Sequence, residues 1–256
     1  MTGQWGDLGP RLASAAVMIV VGAGALWWGG AAFGALATVI VAAMTWELVT
    51  MVRPTLKRAA LQEAGVAAIG FVLALFFPHV SLVLALGVAM VLAGRTGRHL
   101  GVVAGYGFGI FLGGLGLYWL REGSGLHWAL WLVGVVVISD VAGYFAGRLI
   151  GGPKFWPAVS PKKTWSGTVA GWVGAAVLSA WMAAQFGLPW SIVVAGVLLS
   201  FAAQLGDVAE SAIKRKMKVK DSSSLIPGHG GVMDRFDGMI GAGGVVALWQ
   251  LVQASL

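Results

Sequence analysis

Five of the ten acidic side chains of this chain fall between Gln204 and Asp237: Asp207, Glu210, Asp221, Asp234 and Asp237. Lys214, Arg215, Lys216, Lys218, Lys220 and Arg235 are interleaved with them. Carboxylates hold hard divalent cations through oxygen and basic groups neutralise polyphosphate charge, so this stretch has the groups that phosphoryl or nucleotidyl transfer needs. Within it, Pro227-Gly-His229-Gly-Gly231 is rich in accessible backbone N–H and suits a phosphate, although glycines there also serve a plain turn. Asp207 ends an apolar run, and Glu210, Ser211 and Lys214 follow three, four and seven residues on, so a continuing helix sets all four on one face. Spacing alone equally allows a helix-end carboxylate paired with Lys214. A carboxylate at a membrane edge is costly unless paired or bound to an ion, which favours function.

A second polar stretch begins with Asp140, Tyr144 and Arg148, spaced as one helical stripe facing away from lipid, and continues through Ser160-Pro161-Lys162-Lys163-Thr164-Trp165. Glu47, six residues before Arg53 inside an apolar run, fits either helix packing or a polar cavity and has no assigned role. His79, His99 and His127 lack metal-ligand spacing and read as surface residues. Without cysteine, catalysis is left to carboxylates, hydroxyls, amines and His229.

The elements that must position these groups are membrane helices. The 256 residues are 58% hydrophobic and 11% charged, with mean hydropathy +0.85, against roughly 25% charged in soluble domains. Apolar windows near 12–28, 31–52, 64–77, 80–94, 100–120, 126–147, 167–187, 189–206 and 238–254 predict an all-α polytopic protein of about nine transmembrane helices. They form a single membrane domain, 1–256, with N-terminal spans over about 12–120 and a motif-bearing half over about 139–238. The third and fourth windows are short and meet at Pro78, as a tight hairpin or a re-entrant unit. The first window exceeds a secretory signal core and lacks a small-residue cleavage site, so a retained helix is expected. Basic residues follow the second, fourth, sixth and eighth windows, and Arg121 is the sole Lys or Arg in the opposite loops. The positive-inside rule makes those four loops cytoplasmic, with the N-terminus inside and the C-terminus outside, and accounts for the net charge of +7 without nucleic acid. Gly105 with Gly109 and Gly143 with Gly147 have the spacing of close helix contacts, and Trp27, Trp28, Trp128 and Trp190 that of interfacial anchors.

Ser211-x-x-Lys214-Arg215, Lys220-Asp221, Pro227-Gly-His229-Gly-Gly231 and Asp234-Arg235-x-Asp237 resemble, in order and spacing, the signature of the prokaryotic phosphatidate cytidylyltransferase (CDP-diglyceride synthase) family. Asp140 to Arg148 and Ser160 to Trp165 resemble that family's second block, with Val141 where Ser or Thr is usual and Ser166 where Glu or Gln is usual. The resemblance implies transfer of CMP from CTP to phosphatidate, giving CDP-diacylglycerol and pyrophosphate, in the bacterial inner membrane with the site at the cytoplasmic face. It implies Asp207 and Asp234 as ligands of Mg²⁺, one ion or two, with Asp237 and Asp140 as second choices. Lys214, Lys220, His229 and Arg235 complete the expected catalytic set, and Ser160, Lys162, Lys163, Thr164, Arg215, Asp140 and Tyr144 the substrate-binding set. Membrane lipids are the expected surroundings and a homodimer a compatible assembly. An isoprenoid-alcohol kinase would share the basic loops and carboxylates without the whole signature. A transporter would show paired interrupted spans in two halves, which this chain lacks.

Overall fold

The computed structural model describes residues 8–255. Among them are nine α-helices: α1 (Leu8–Trp28), α2 (Gly30–Val52), α3 (Lys57–Phe76), α4 (Ser81–Thr96), α5 (Leu100–Trp119), α6 (Leu126–Leu149), α7 (Trp165–Phe186), α8 (Ile192–Lys216) and α9 (Met233–Ser255). Strands β1 (Lys154–Trp156) and β2 (Ser160–Thr164) form an antiparallel hairpin between α6 and α7. The chain is thus an all-α polytopic membrane protein with one small hairpin where a turn was expected.

The first eight helices are long and apolar enough to cross a membrane. Helix α9 opens with Asp234, Arg235 and Asp237 and packs on α5 and α8, burying Ile240, Ala242, Val246 and Ala247. The charges are confined to its first two turns, while Val245, Leu248, Trp249 and Val252 further along are exposed apolar surface suited to lipid. Helix α3 starts at Lys57 rather than near 64 and runs 20 residues, so the third span is not short. The added two turns carry Lys57, Arg58, Gln62 and Glu63, and Glu63 pairs with Arg95 at 2.6 Å. Pro78–Val80 makes a single 3-10 turn, so α3 and α4 are two helices in a hairpin.

One cluster of buried side chains, including Leu48, Phe71, Leu92, Phe111 and Leu115, joins α2 to α5. A second, including Trp131, Leu132, Met182 and Leu199, joins α6, α7 and α8. Lipid tails are as apolar as leucine, so close backbone packing must supply much of the association. Where α8 crosses α9, a Cβ on Gly206 would collide with the Asp237 carbonyl and one on Gly241 with the Ala202 carbonyl. Only glycine permits that crossing, which brings Asp207 beside Asp237. Gly143 and Gly147 do form a close contact, against Gly167 and Thr164. Of the other pair Gly105 faces open space, but Gly109 meets Ile240 of α9, and α5 closes on α9 there and at Gly113 and Gly116.

The basic loops gather at one end of the bundle. Arg53 Nη1 donates to the Thr96 carbonyl at 2.8 Å, joining the ends of α2 and α4. At the other end Arg121 donates to the carbonyls of Leu26 (2.6 Å) and Trp27 (2.8 Å), and Glu122 accepts from Gly30 N–H at 2.8 Å. Leu256, which the charge pattern assigns to the side opposite the basic loops, lies outside the described residues.

Candidate active site

Helix α8 continues unbroken past the apolar run to Lys216, so Asp207, Glu210, Ser211 and Lys214 share a face as their spacing predicts. Asp237, from the first turns of α9, joins them, and one oxygen each of Asp207, Glu210 and Asp237 lie within 4.8 Å of one another. Glu210 is wholly buried. Its Oε2 lies 2.6 Å from Lys214 Nζ, while its Oε1 has no hydrogen-bond donor among the described residues. Ser211 donates to Asp207 at 3.2 Å, and Asp237 Oδ1 accepts from Gly238 N–H at 2.7 Å. A buried carboxylate with a bare oxygen is expensive unless something positive completes it.

Asp234 is turned elsewhere. Its Oδ1 takes Lys214 Nζ at 2.7 Å, and its Oδ2 accepts from Ser222 N–H (2.9 Å), Ser222 Oγ (2.9 Å) and Gly231 N–H (2.7 Å). Burial works to raise its pKa, but Lys214 and the N–H groups of Gly231 and Ser222 outweigh it and hold the carboxyl below its ordinary value. With both oxygens engaged, Asp234 ties the signature loop to α8, and Glu210 stands in the carboxylate cluster where Asp234 was expected.

Glu47 proves central to the same loop. Fully buried on α2, it accepts from Ser223 Oγ (2.6 Å), Ser222 Oγ (3.2 Å), Val232 N–H (2.8 Å) and Met233 N–H (2.7 Å). The last two are free donors where α9 begins, so Glu47 caps that helix from another one. A side chain on Gly231 would run into both Ser222 and Glu47. Val232 and Met233 stand 185 and 186 residues from Glu47, and the one local signal for it is a charge inside a span.

The rest of the loop is bound to itself and to α1. Ile226 N–H donates to the Gly230 carbonyl at 2.8 Å and His229 N–H to the Ile226 carbonyl at 2.9 Å. Arg235 Nε donates to the His229 carbonyl at 3.1 Å, and Ser14 of α1 bonds both the Pro227 carbonyl (3.0 Å) and His229 Nδ1 (2.9 Å). Lys220 and Arg215 are exposed nearby.

A cavity of about 620 Å³ opens beside the carboxylates, with Asp140, Tyr144, Arg148, Lys162, Lys163 and Asp207 in its walls. The expected stripe on α6 therefore does face a polar space, and Arg148 donates to the Tyr144 hydroxyl at 2.9 Å. Lys163 on β2 crosses to α8, 2.5 Å from Asp207 Oδ2 and 3.3 Å from the Gln204 carbonyl. Gln204 in turn bonds Ser139, the Thr168 carbonyl and Trp172, which locks α6, α7 and α8 together one turn before Asp207. Thr164 lines the cavity yet caps α7 by accepting from Gly167 N–H at 3.2 Å. Ser160 is half-buried at the start of β2. Ser166 bonds Thr164 and the Gly151 carbonyl, which closes the hairpin loop. Val141 is exposed and outside the cavity wall.

Comparison with known proteins places the chain among relatives. Over 153 residues the chain is 42% identical to a protein named phosphatidate cytidylyltransferase from Brucella suis. It is 40% identical over 129 residues to one of that name from Staphylococcus saprophyticus and 39% over 136 residues to one from Mycobacterium bovis. These matches cover 57%, 48% and 52% of this chain, and 57%, 50% and 43% of the respective relatives. The chain therefore spans about half the length of the curated relatives it matches. The model of the cytidylyltransferase family matches residues 10–252, nearly the whole chain, so this protein belongs to the cytidylyltransferase family.

Proposed function

We propose that the chain is a phosphatidate cytidylyltransferase of the bacterial inner membrane, working at the cytoplasmic face. A phosphate oxygen of phosphatidate attacks the α-phosphorus of CTP, the bond from that phosphorus to the bridging oxygen breaks, and pyrophosphate leaves. The lipid phosphate is already ionised, so the step needs no general base. The observation that carries this reading is the Asp207, Glu210 and Asp237 cluster, flanked by Lys163 and Lys214, whose Asp207 lines a cavity walled by Asp140, Arg148, Lys162 and Lys163.

Three carboxylates within 4.8 Å, one with a bare buried oxygen, fit a hard divalent cation such as Mg²⁺. Asp207, Glu210 and Asp237 would hold it, and it would supply charge neutralisation between phosphate oxygens. Lys162, Lys163 and Arg148 bind and orient the triphosphate in the cavity, and Lys214 holds Glu210 in place. Asp234, Arg235 and His229 keep the glycine loop closed, leaving Lys220 and Arg215 exposed for the departing pyrophosphate. All these groups come from one chain, so a homodimer would carry two complete sites.

The test is purified protein given CTP labelled on the α- or the γ-phosphate, with and without phosphatidate. Phosphatidate-dependent α-label in the chloroform-soluble product is expected. Lipid carrying γ-label instead would make the protein a lipid kinase and overturn the proposal.

A further inference from the structure

A second cavity, of about 350 Å³, lies within the membrane-spanning part and is lined almost wholly by carbon. Met18, Gly22 and Leu26 of α1 form one wall, Met44 of α2 and Phe236 and Ile240 of α9 others. Helix α1 otherwise meets little protein, with Leu12, Val17 and Val20 more than 60% exposed. It is pinned near its two ends: Ser14 to the Pro227 carbonyl and His229, and the Leu26 and Trp27 carbonyls to Arg121. Between those pins it stands off from the bundle, and a Cβ on Gly22 would meet nothing within 4 Å.

One end of the cavity lies near the signature loop. Phe236 precedes Asp237 of the carboxylate cluster, Met44 is one turn from Glu47, and Met18 is one turn from Ser14, which holds His229. From Met18 to Leu26 it follows α1 for about 12 Å at the helical rise. An occupant must therefore be slim, apolar and joined to a polar head at the signature loop. A helix of a second copy, about 10 Å across, does not fit between pins at both ends of α1. We propose that this groove takes one acyl chain of the phosphatidate and so sets the position of its phosphate, an inference that rests on the cytidylyl-transfer reading. Moving a chain from bilayer to groove gains little hydrophobic free energy, since both are apolar. The groove therefore acts on register and chain-length preference.

The experiment compares Gly22→Trp, which fills the groove, with Gly24→Trp, whose position also has open space but lies outside the lining. In Gly22→Trp, kcat/KM should fall at least ten-fold for dipalmitoyl phosphatidate and less than two-fold for the dihexanoyl form, with KM for CTP unchanged. Gly24→Trp should match the parent on both. Equal effects of the two variants, or equal losses on both lipids, would overturn the groove. Absence of transfer by the parent would instead overturn the reading beneath it. A phosphatidate with a mid-chain diazirine, photolysed with the parent protein, should label Met18 to Leu26 far more than a matched phosphatidylcholine probe. Equal labelling by the two probes would mark the groove as ordinary bilayer-facing surface, whether or not the tryptophan variant folds.

Discussion

Lys163 Nζ sits 2.5 Å from Asp207 Oδ2, so a strand before α7 supplies the counter-charge for a carboxylate on the helix after it. The loop after the sixth span and the C-terminal signature thus build one site. Lys163→Ala should lower kcat/KM for CTP by about ten-fold or more, equivalent to roughly 1.4 kcal/mol of transition-state stabilisation. Lys162→Ala, exposed on the same cavity, should lose less, and Lys57→Ala from another basic loop should match the parent. Kinetics in detergent decide it, and three variants equal to the parent would make the hairpin structural only.

The carboxylates should separate into two classes. Asp207→Asn, Glu210→Gln and Asp237→Asn should each reduce turnover by about 100-fold or more at saturating Mg²⁺, as loss of several kcal/mol of charge stabilisation implies. Asp234→Asn should chiefly lower stability, by about 1–3 kcal/mol, because it disturbs donors on Ser222, Gly231 and Lys214. Mg²⁺ titrations beside thermal melts separate the classes. An Asp234→Asn protein with normal melting and a large rise in Mg²⁺ requirement would return Asp234 to the metal.

Glu47→Gln turns an amide donor toward at least one of the N–H groups of Val232 and Met233. Each buried donor left unmatched costs about 1–3 kcal/mol. The expected result is a lower melting temperature with faster proteolysis between Lys218 and Gly231, both larger in Glu47→Ala. Unchanged cleavage in that loop would show that α2 does not hold it.

The absence of cysteine makes side assignment direct. Single cysteines at Arg58, Lys154 and Lys218 should resist a membrane-impermeant thiol reagent in intact cells and react after lysis, whereas Gly123 and Trp190 positions should react from outside. Reaction of Lys154 and Gly123 positions from the same side would break the alternation of spans.

Helix existence and approximate bounds were readable because each span is a long apolar run closed by charge or glycine, and α6 and α8 differ from expectation mainly at their polar ends. The face carrying Asp207, Glu210 and Lys214 followed from helical spacing. Asp234 and Asp237 lie on the same short stretch, and their separate destinations depend on how α9 crosses α8 at Gly206 and Gly241, a tertiary fact with no local pattern. Glu47 escaped for a similar reason, since its donors belong to the far end of the chain.

That distance bears on how the protein is made. Span two enters the membrane with Glu47 long before residues 222–233 exist, and until then its carboxylate has none of the four donors that satisfy it. An ionised acid among helices in lipid is unfavourable by several kcal/mol. A chain stalled or truncated before α9 therefore carries a polar flaw in its first half, the kind of feature by which membrane quality-control proteases tell unfinished bundles from finished ones. Arrival of residues 222–233 erases it, so the same event satisfies the first half of the bundle and closes the signature loop over the site.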